Sequence, residues 1–222
     1  MSRLLAFGCS ITYGEGLSDC LNIADNPPLT SSKYAWPSVL GKTLTRTVLN
    51  LGEGGAANKR ICNKILNEKY NLSDVVVILW SSFSRTTYFT DFDGIINVQP
   101  SQLDNYKFNP PIHLKINSIF YKRMFFDTNQ NIENYNSINL AKLYLDSKGI
   151  PNYHFTWESL PYRNCAVPSW SNVKLHYINL SGRGRAMTPN SMHIDTADDG
   201  AHPGIESQKL IAQDMERCIR EN

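Results

Sequence analysis

The sequence lacks the features that define several classes of protein. Its five cysteines are widely spaced and form no CxxC pair, so neither a zinc site nor a redox motif is predicted. No apolar run approaches the ~18 residues of a transmembrane helix. The apolar run at 4–7 is too short for a signal peptide, and scattered thiols fit a reducing compartment. We therefore expect a cytoplasmic protein without a membrane partner.

A strong net charge is also absent. The chain of 222 residues has 22 basic and 20 acidic side chains, which gives a formal net charge of +2. This balance leaves no electrostatic footprint for nucleic acid, so no nucleic-acid partner is expected. The sequence has no Walker-type phosphate loop, and the spacing Gly52-x-Gly54-Gly55 does not match the GxGxxG of a dinucleotide-binding loop.

The sequence does contain apolar, strand-like runs that alternate with amphipathic helical patterns. Apolar runs predict strands at 4–7, 47–51 and 74–80, an alternating pattern predicts a fourth at 152–157, and 173–178 is a candidate fifth. Helical periodicity predicts helices at 56–70, 136–148 and 205–221. This alternation indicates one layered α/β domain over 1–222 with a mostly parallel sheet. Segments near 86–135 and 161–197 are interpreted as irregular insertions, the first with a short helix around 116–126.

The first predicted strand runs directly into a turn that contains Ser10. A serine at this point presents its hydroxyl at the carboxyl edge of the sheet, where open α/β sheets bind ligands. Serine is a poor nucleophile unless a base lies within hydrogen-bond reach. Taken alone, Ser10 is explained equally well as a helix N-cap. Its neighbour Cys9 should point to the opposite side of the chain, into the core.

The C-terminal region supplies a candidate base and a candidate carboxylate. Asp199 precedes His202 by three residues, so its carboxylate can fold back and accept a hydrogen bond from the imidazole ring. Such a bond fixes the tautomer of the ring and stabilises the imidazolium. The alternative is a surface loop in which Asp199 caps a turn, and His193 with Asp195 is a weaker rival for the same role.

A glycine-rich turn follows the second predicted strand and opens a helix. It contains Gly52, Gly54 and Gly55. Glycines allow the backbone to approach a substrate closely, and backbone N–H groups at such a turn can stabilise an oxyanion.

Three of these segments together resemble blocks one, two and five of the SGNH (GDSL-type) hydrolases. They are Gly8-Cys9-Ser10-Ile11-Thr12, Gly52 in its turn, and Asp199-Gly200-Ala201-His202-Pro203. The family comprises esterases, lipases and carbohydrate deacetylases on a flavodoxin-like, three-layer α/β/α fold. The resemblance covers roughly 3–85 and 198–220. It implies Ser10 as nucleophile, His202 as base and Asp199 as its orienting partner, with the N–H groups of Ser10 and Gly52 in the oxyanion hole and no metal or cofactor.

The sequence departs from the family pattern after the third predicted strand. The family has an oxyanion-hole asparagine in a Gly-x-Asn-Asp segment, whereas this chain has Trp80-Ser81-Ser82-Phe83-Ser84-Arg85. Candidate substitutes are Asn58, Ser82 or Ser84, and Arg85 through its charge, although Asn58 is equally explained as a helix cap. The segments Arg60-Ile61 and Trp80-Ser81, with Asn58 and Arg85, also resemble uncharacterised SGNH-like proteins, many of them from phages.

The expected function is hydrolysis of an ester, with an acetyl or short acyl group on a carbohydrate as the substrate. One alternative is an SGNH-fold glycan-binding or virion protein with little catalysis, which the missing asparagine favours. Another is an acyltransferase that uses the same acyl-enzyme. For a viral protein, the expected location becomes the host cytoplasm or the virion.

Overall fold

A computed structural model describes residues 2–20, 30–90, 94–99, 112–158, 171–180 and 191–221, with the backbone alone described for 112–114. The strands are β1 (Arg3–Gly8), β2 (Thr47–Asn50), β3 (Val75–Trp80), β4 (Thr86–Phe89), β5 (Ile95–Val98), β6 (Asn152–Thr156) and β7 (His176–Tyr177). The helices are α1 (Ser10–Tyr13), α2 (Trp36–Thr43), α3 (Asn58–Asn67), α4 (Ile112–Ile119), α5 (Asp127–Ser147) and α6 (Ile205–Arg220).

Five of the strands form one parallel sheet in the order β2-β1-β3-β6-β7. This is the flavodoxin-like order 2-1-3-4-5, with the antiparallel hairpin β4–β5 inserted after the third strand. Every residue of β3 is buried, as expected for a central parallel strand covered on both faces. The predicted α/β fold with a mostly parallel sheet is therefore confirmed.

Helices cover both faces of this sheet. α2 packs against α6 in one layer, and α3 packs against α5 in the other. The core between the layers is made of apolar side chains from β1 and β3 and from the inward faces of the helices. α6 places Ile211, Ala212 and Met215 in that core, which explains its strong amphipathic pattern. The result is three layers, helix on sheet on helix.

The first predicted insertion is more regular than the sequence indicates. It contains the β4–β5 hairpin, then α4, whose last turn continues as a π-helix over Phe120–Met124, and then the first part of α5. None of the helices described is long and apolar enough to cross a bilayer. Of the second predicted insertion, 161–170 and 181–190 lie outside the described residues, and the strand expected at 173–178 is limited to His176–Tyr177.

Candidate active site

Ser10 lies at the carboxyl edge of the sheet, directly after β1. β2 and β3 lie on opposite sides of β1, so the strand order reverses at this point. β1 ends at Gly8, and Ser10 is the first residue of α1. A side chain at Gly8 would collide with Thr12 and come within 2.8 Å of the Leu79 carbonyl oxygen, so the tight turn requires glycine there. Cys9 is 1% exposed and belongs to the core, as predicted. The local fold thus separates the thiol from the hydroxyl.

The structure brings Ser10, His202 and Asp199 into one hydrogen-bonded line. His202 Nε2 lies 2.9 Å from Ser10 Oγ, and His202 Nδ1 lies 2.5 Å from Asp199 Oδ2. Asp199 Oδ1 accepts the backbone N–H groups of Ala201 and His202 at 2.9 and 3.0 Å. Partial burial raises the pKa of the Asp199 carboxyl, but these hydrogen bonds outweigh it and hold the pKa below its ordinary value. Asp199 is therefore an anion at neutral pH.

The loop that carries His202 is fixed at both ends. Thr196 pairs with Pro203 in an antiparallel bridge, and the Ala197 N–H donates to the His202 carbonyl oxygen at 2.8 Å. Asp195 accepts hydrogen bonds from the N–H groups of Glu206 and Ser207 and from the Ser207 hydroxyl. Asp195, which the sequence offers with His193 as a weaker alternative to Asp199 and His202, thus holds the first turn of α6, while His202 faces Ser10.

Gly52 packs tightly, but its N–H is already committed. A Cβ on Gly52 would lie 2.5 Å from the Tyr13 nitrogen, so glycine is required for the turn to pass α1. The Gly52 N–H donates to Asn50 Oδ1 at 3.0 Å, and Asn50 Nδ2 donates to the Thr12 carbonyl oxygen at 2.7 Å. Gly55 has a left-handed φ of +72°, and its N–H has no acceptor among the residues described. Gly55 belongs to the turn that the sequence predicts as a source of backbone donors, whereas the family resemblance implies Gly52.

Asn58 differs from both interpretations drawn from the sequence. It is fully buried, and the cap position of α3 belongs to Ala57, so Asn58 is not the helix cap. Its Nδ2 donates to the Ser81 carbonyl oxygen and to Asn134 Oδ1, at 3.1 and 2.7 Å. Its Oδ1 accepts the Ser81 N–H at 2.7 Å. Because both amide hydrogens are used, the proposal of Asn58 as an oxyanion donor is corrected: it ties the end of β3 to α3 and α5.

The loop after β3 is held by a carboxylate that the sequence reasoning missed. Glu158 follows β6 and accepts the Ser82 hydroxyl at 2.9 Å together with the Phe83 N–H. The Ser82 proton is thus directed to Glu158, and Ser84 Oγ lies 2.7 Å from Ser82 Oγ. An acidic residue directly after a predicted strand was the signal that could have found Glu158. Ser82 therefore supports the loop, and its proton is committed to Glu158.

Arg85 lies beside this loop and faces a groove. Its Nη1 donates to Ser81 Oγ at 3.2 Å. The groove, about 460 Å³ in volume, runs between α3, β4 and α5, and Arg85 lines it together with Lys59 and Phe89. Ser10, His202 and Asp199 are not among the residues that line this groove. Across the described ranges, no three His, Cys, Asp or Glu side chains cluster closely enough to hold a metal ion.

Comparison with known proteins places this geometry on a known fold. No protein-family model matches the sequence, and no curated protein matches it significantly. A protein assigned to the lipolytic G-D-S-L family, from Desulfitobacterium hafniense DCB-2, gives a TM-score of 0.51 at 15% identity, over 97% of this chain and 98% of that chain. Esterase EstA from Pseudoalteromonas sp. gives 0.50 at 13% identity, over 99% of this chain and 97% of its own.

A larger enzyme shares the same core. The acetyl xylan esterase Est2A from the rumen bacterium Butyrivibrio proteoclasticus gives a TM-score of 0.56 at 13% identity, over 99% of this chain. This chain spans 63% of the length of Est2A. At such identities the likeness establishes the architecture, and the chain has the SGNH hydrolase fold, as the sequence resemblance predicts.

Proposed function

We propose that the protein is a serine esterase in which Ser10 is the nucleophile, His202 the general base and acid, and Asp199 its orienting carboxylate. The observation that carries this proposal is the pair of hydrogen bonds from Ser10 Oγ to His202 and from His202 to Asp199, at 2.9 and 2.5 Å. With Nδ1–H donating to Asp199, Nε2 is left to accept the serine proton.

The proposed reaction proceeds through an acyl-enzyme. Ser10 Oγ forms a bond to the ester carbonyl carbon while its proton passes to His202 Nε2. The resulting imidazolium donates that proton to the departing alcohol oxygen as the carbon–oxygen bond of the ester breaks. Water then attacks the acyl carbon while His202 takes a proton from it. That proton passes to Ser10 Oγ as the bond between Ser10 Oγ and the acyl carbon breaks, and the carboxylic acid leaves. The carboxylate of Asp199 stabilises the imidazolium in both halves.

The oxyanion formed in each half needs donors that are not already used. The first N–H groups of a helix have no partner within it, and the Ser10 N–H has no acceptor among the described residues. We assign one backbone donor to the N–H of Ser10. Gly52 contributes only where its N–H is shared between Asn50 and the substrate, because its hydrogen bond to Asn50 is already formed.

The proposed substrate is an acetyl or other short acyl ester of a carbohydrate. The support is the shared fold with Est2A, an acetyl xylan esterase. A second candidate function, glycan binding with little hydrolysis, is favoured by a different observation: the Gly52 N–H and both amide hydrogens of Asn58 are committed to protein partners.

Labelling with a fluorophosphonate probe tests the esterase proposal and separates it from the binding alternative. The probe should form a covalent adduct on the peptide containing Ser10, located by mass spectrometry. Ser10→Ala should lose both the adduct and the hydrolysis of p-nitrophenyl acetate. Ser137→Ala, which changes a hydroxyl on α5 that among the described residues bonds only the Glu133 carbonyl oxygen, should keep both. Hydrolysis by Ser10→Ala at the wild-type rate would remove Ser10 from the mechanism.

A further inference from the structure

Gly16, a glycine outside the motif residues, lies next to the candidate carboxylate of Asp199. Gly16 lies in the turn after α1 with a left-handed φ of +85°. Its N–H donates to the Cys20 carbonyl oxygen at 3.1 Å, and its own carbonyl oxygen accepts the Asp198 N–H at 3.0 Å. These two bonds fix the backbone of Gly16 against the loop that carries Asp199 and His202.

The space at Gly16 is filled by the Asp199 carboxylate. A Cβ built on Gly16 would come within 3.0 Å of Cγ and of both carboxylate oxygens of Asp199, with Oδ1 at 2.7 Å. Real Cβ atoms essentially never approach other heavy atoms so closely. The carboxylate cannot simply rotate away, because each oxygen already accepts hydrogen bonds from the backbone or ring of His202. Any side chain at Gly16 must therefore displace Asp199.

We propose that Gly16 is a positioning residue for the proton relay, because its missing side chain leaves the place that the Asp199 carboxylate occupies. Through Asp199, Gly16 sets the orientation and tautomer of the His202 ring. The kinetic consequence rests on the proposed esterase function, whereas the placement of Asp199 does not. Two effects of an alanine at Gly16 must be separated, the backbone strain of its left-handed φ and the collision with the carboxylate.

Gly149 provides a matched control for the strain. It follows α5 with a φ of +68°, and a Cβ built on it meets nothing within 4 Å. Gly149→Ala therefore introduces alanine into a similar backbone conformation without a collision. We expect Gly16→Ala to lower the melting temperature more than Gly149→Ala does, and to lower kcat at least about tenfold with little change in KM. Equal effects of the two variants would overturn the proposal.

The collision can be tested independently of activity by a double-mutant cycle. Asp199→Ala removes the three atoms that a Cβ on Gly16 would meet. In that background Gly16→Ala should cost no more stability than Gly149→Ala. If Gly16→Ala fails to fold alone, folding of the Gly16→Ala/Asp199→Ala chain supports the proposal. Failure of both, or an unchanged cost in both backgrounds, overturns it.

The tautomer of His202 gives a readout that general destabilisation would not move. Long-range ¹H–¹⁵N spectra of the neutral ring should show the Nδ1–H tautomer in the wild type and in Gly149→Ala. Gly16→Ala should show a mixture of tautomers, and so should Asp199→Ala. A wild-type tautomer in Gly16→Ala would refute the positioning role. Loss of that tautomer in an enzyme that proves to have no esterase activity would leave the positioning role intact and refute the proposed function.

Discussion

At the scale of single residues, Asn58 shows how a buried amide can be mistaken for a catalytic one. An asparagine beside a glycine-rich turn suits an oxyanion hole, but here the side chain binds the N–H and the carbonyl oxygen of Ser81. A buried polar group must find partners within the protein, since an unpaired one costs about 1–3 kcal/mol. Asn58 satisfies two groups at the end of β3 and binds Asn134 as well.

Replacing Asn58 by alanine should therefore reduce stability rather than act on the transition state directly. The change leaves the Ser81 N–H and the Asn134 Oδ1 without this partner, so we expect a loss of at least about 2 kcal/mol in the free energy of unfolding. Urea denaturation measures it. Asn63→Ala, at a half-buried position of the same helix outside the core, should cost less than about 0.5 kcal/mol. A fully stable Asn58→Ala with a much lower kcat would instead restore the oxyanion role.

At the scale of elements, the junction between the His202 loop and α6 depends on one carboxylate. Asp195 accepts hydrogen bonds from the backbone N–H groups of Glu206 and Ser207, which α6 itself leaves unsatisfied. Partial burial raises the pKa of Asp195, but the hydrogen bonds from Ser207 and Glu206 outweigh it, and the pKa lies below its ordinary value. The carboxylate form thus anchors the helix that follows the active-site loop.

Replacing Asp195 by asparagine should weaken this anchor. An amide NH₂ group would meet N–H donors, so we expect a loss of about 0.5–2 kcal/mol, the usual range for a helix N-terminal cap. Since folding lowers the pKa of Asp195, its contribution is present above the unfolded value of about 3.9 and is lost as the pH falls through the folded value.

Thermal melts between pH 7 and pH 3 measure this contribution. The difference between wild type and Asp195→Asn should be largest at pH 7 and should shrink below about pH 4. Asp198→Asn, at an exposed neighbouring position, serves as the control and should change little at either pH. A difference that grows as the pH falls would contradict the anchoring role of the carboxylate.

The elements that the sequence predicts are those whose apolar pattern matches their burial. The run at 75–80 is apolar throughout because β3 is covered on both faces, and α6 shows helical periodicity because one face is buried. The first part of α5 was missed for a physical reason. Its buried positions there are amides, among them Gln130, Asn131 and Asn134, so no apolar period marks the helix.

Some residues of the candidate site can be predicted from the sequence, and others depend on packing. Ser10, Asp199 and His202 could be proposed from local motifs, because strand, turn and loop chemistry are written in adjacent residues. Gly16 could not, since its close approach to Asp199 depends on tertiary packing. The place of Glu158 after a predicted strand marks it as a candidate, but its hydrogen bond from the Phe83 N–H is likewise decided by packing. Which amide hydrogens are already used, as at Gly52, is also decided by packing.

At the scale of the whole molecule, the site depends on the two ends of the chain meeting. Ser10 and His202 are separated by 192 residues in sequence, and α6 is packed against α2. Gln208 on α6 joins these parts: its Oε1 accepts the Trp36 N–H at 2.9 Å, and its Nε2 donates to the Ile11 carbonyl oxygen at 3.3 Å. One buried side chain therefore links α6 to the start of α2 and to the helix that carries Ser10.

Gln208→Ala should loosen α6 from the rest of the protein. The Trp36 N–H is one of the N–H groups that α2 leaves unsatisfied at its own start, and without Gln208 it is buried and unpaired, at a cost of about 1–3 kcal/mol. Because this link acts on one layer, amide hydrogen exchange should accelerate in α6 and α2 while β1 and β3 stay protected. Mass spectrometry of the exchanged peptides measures this directly.

Gln213→Ala, at an exposed position of the same helix, should leave the exchange pattern unchanged. Uniform acceleration across sheet and helices in Gln208→Ala would show that α6 unfolds together with the whole molecule, and the proposed local link would be wrong.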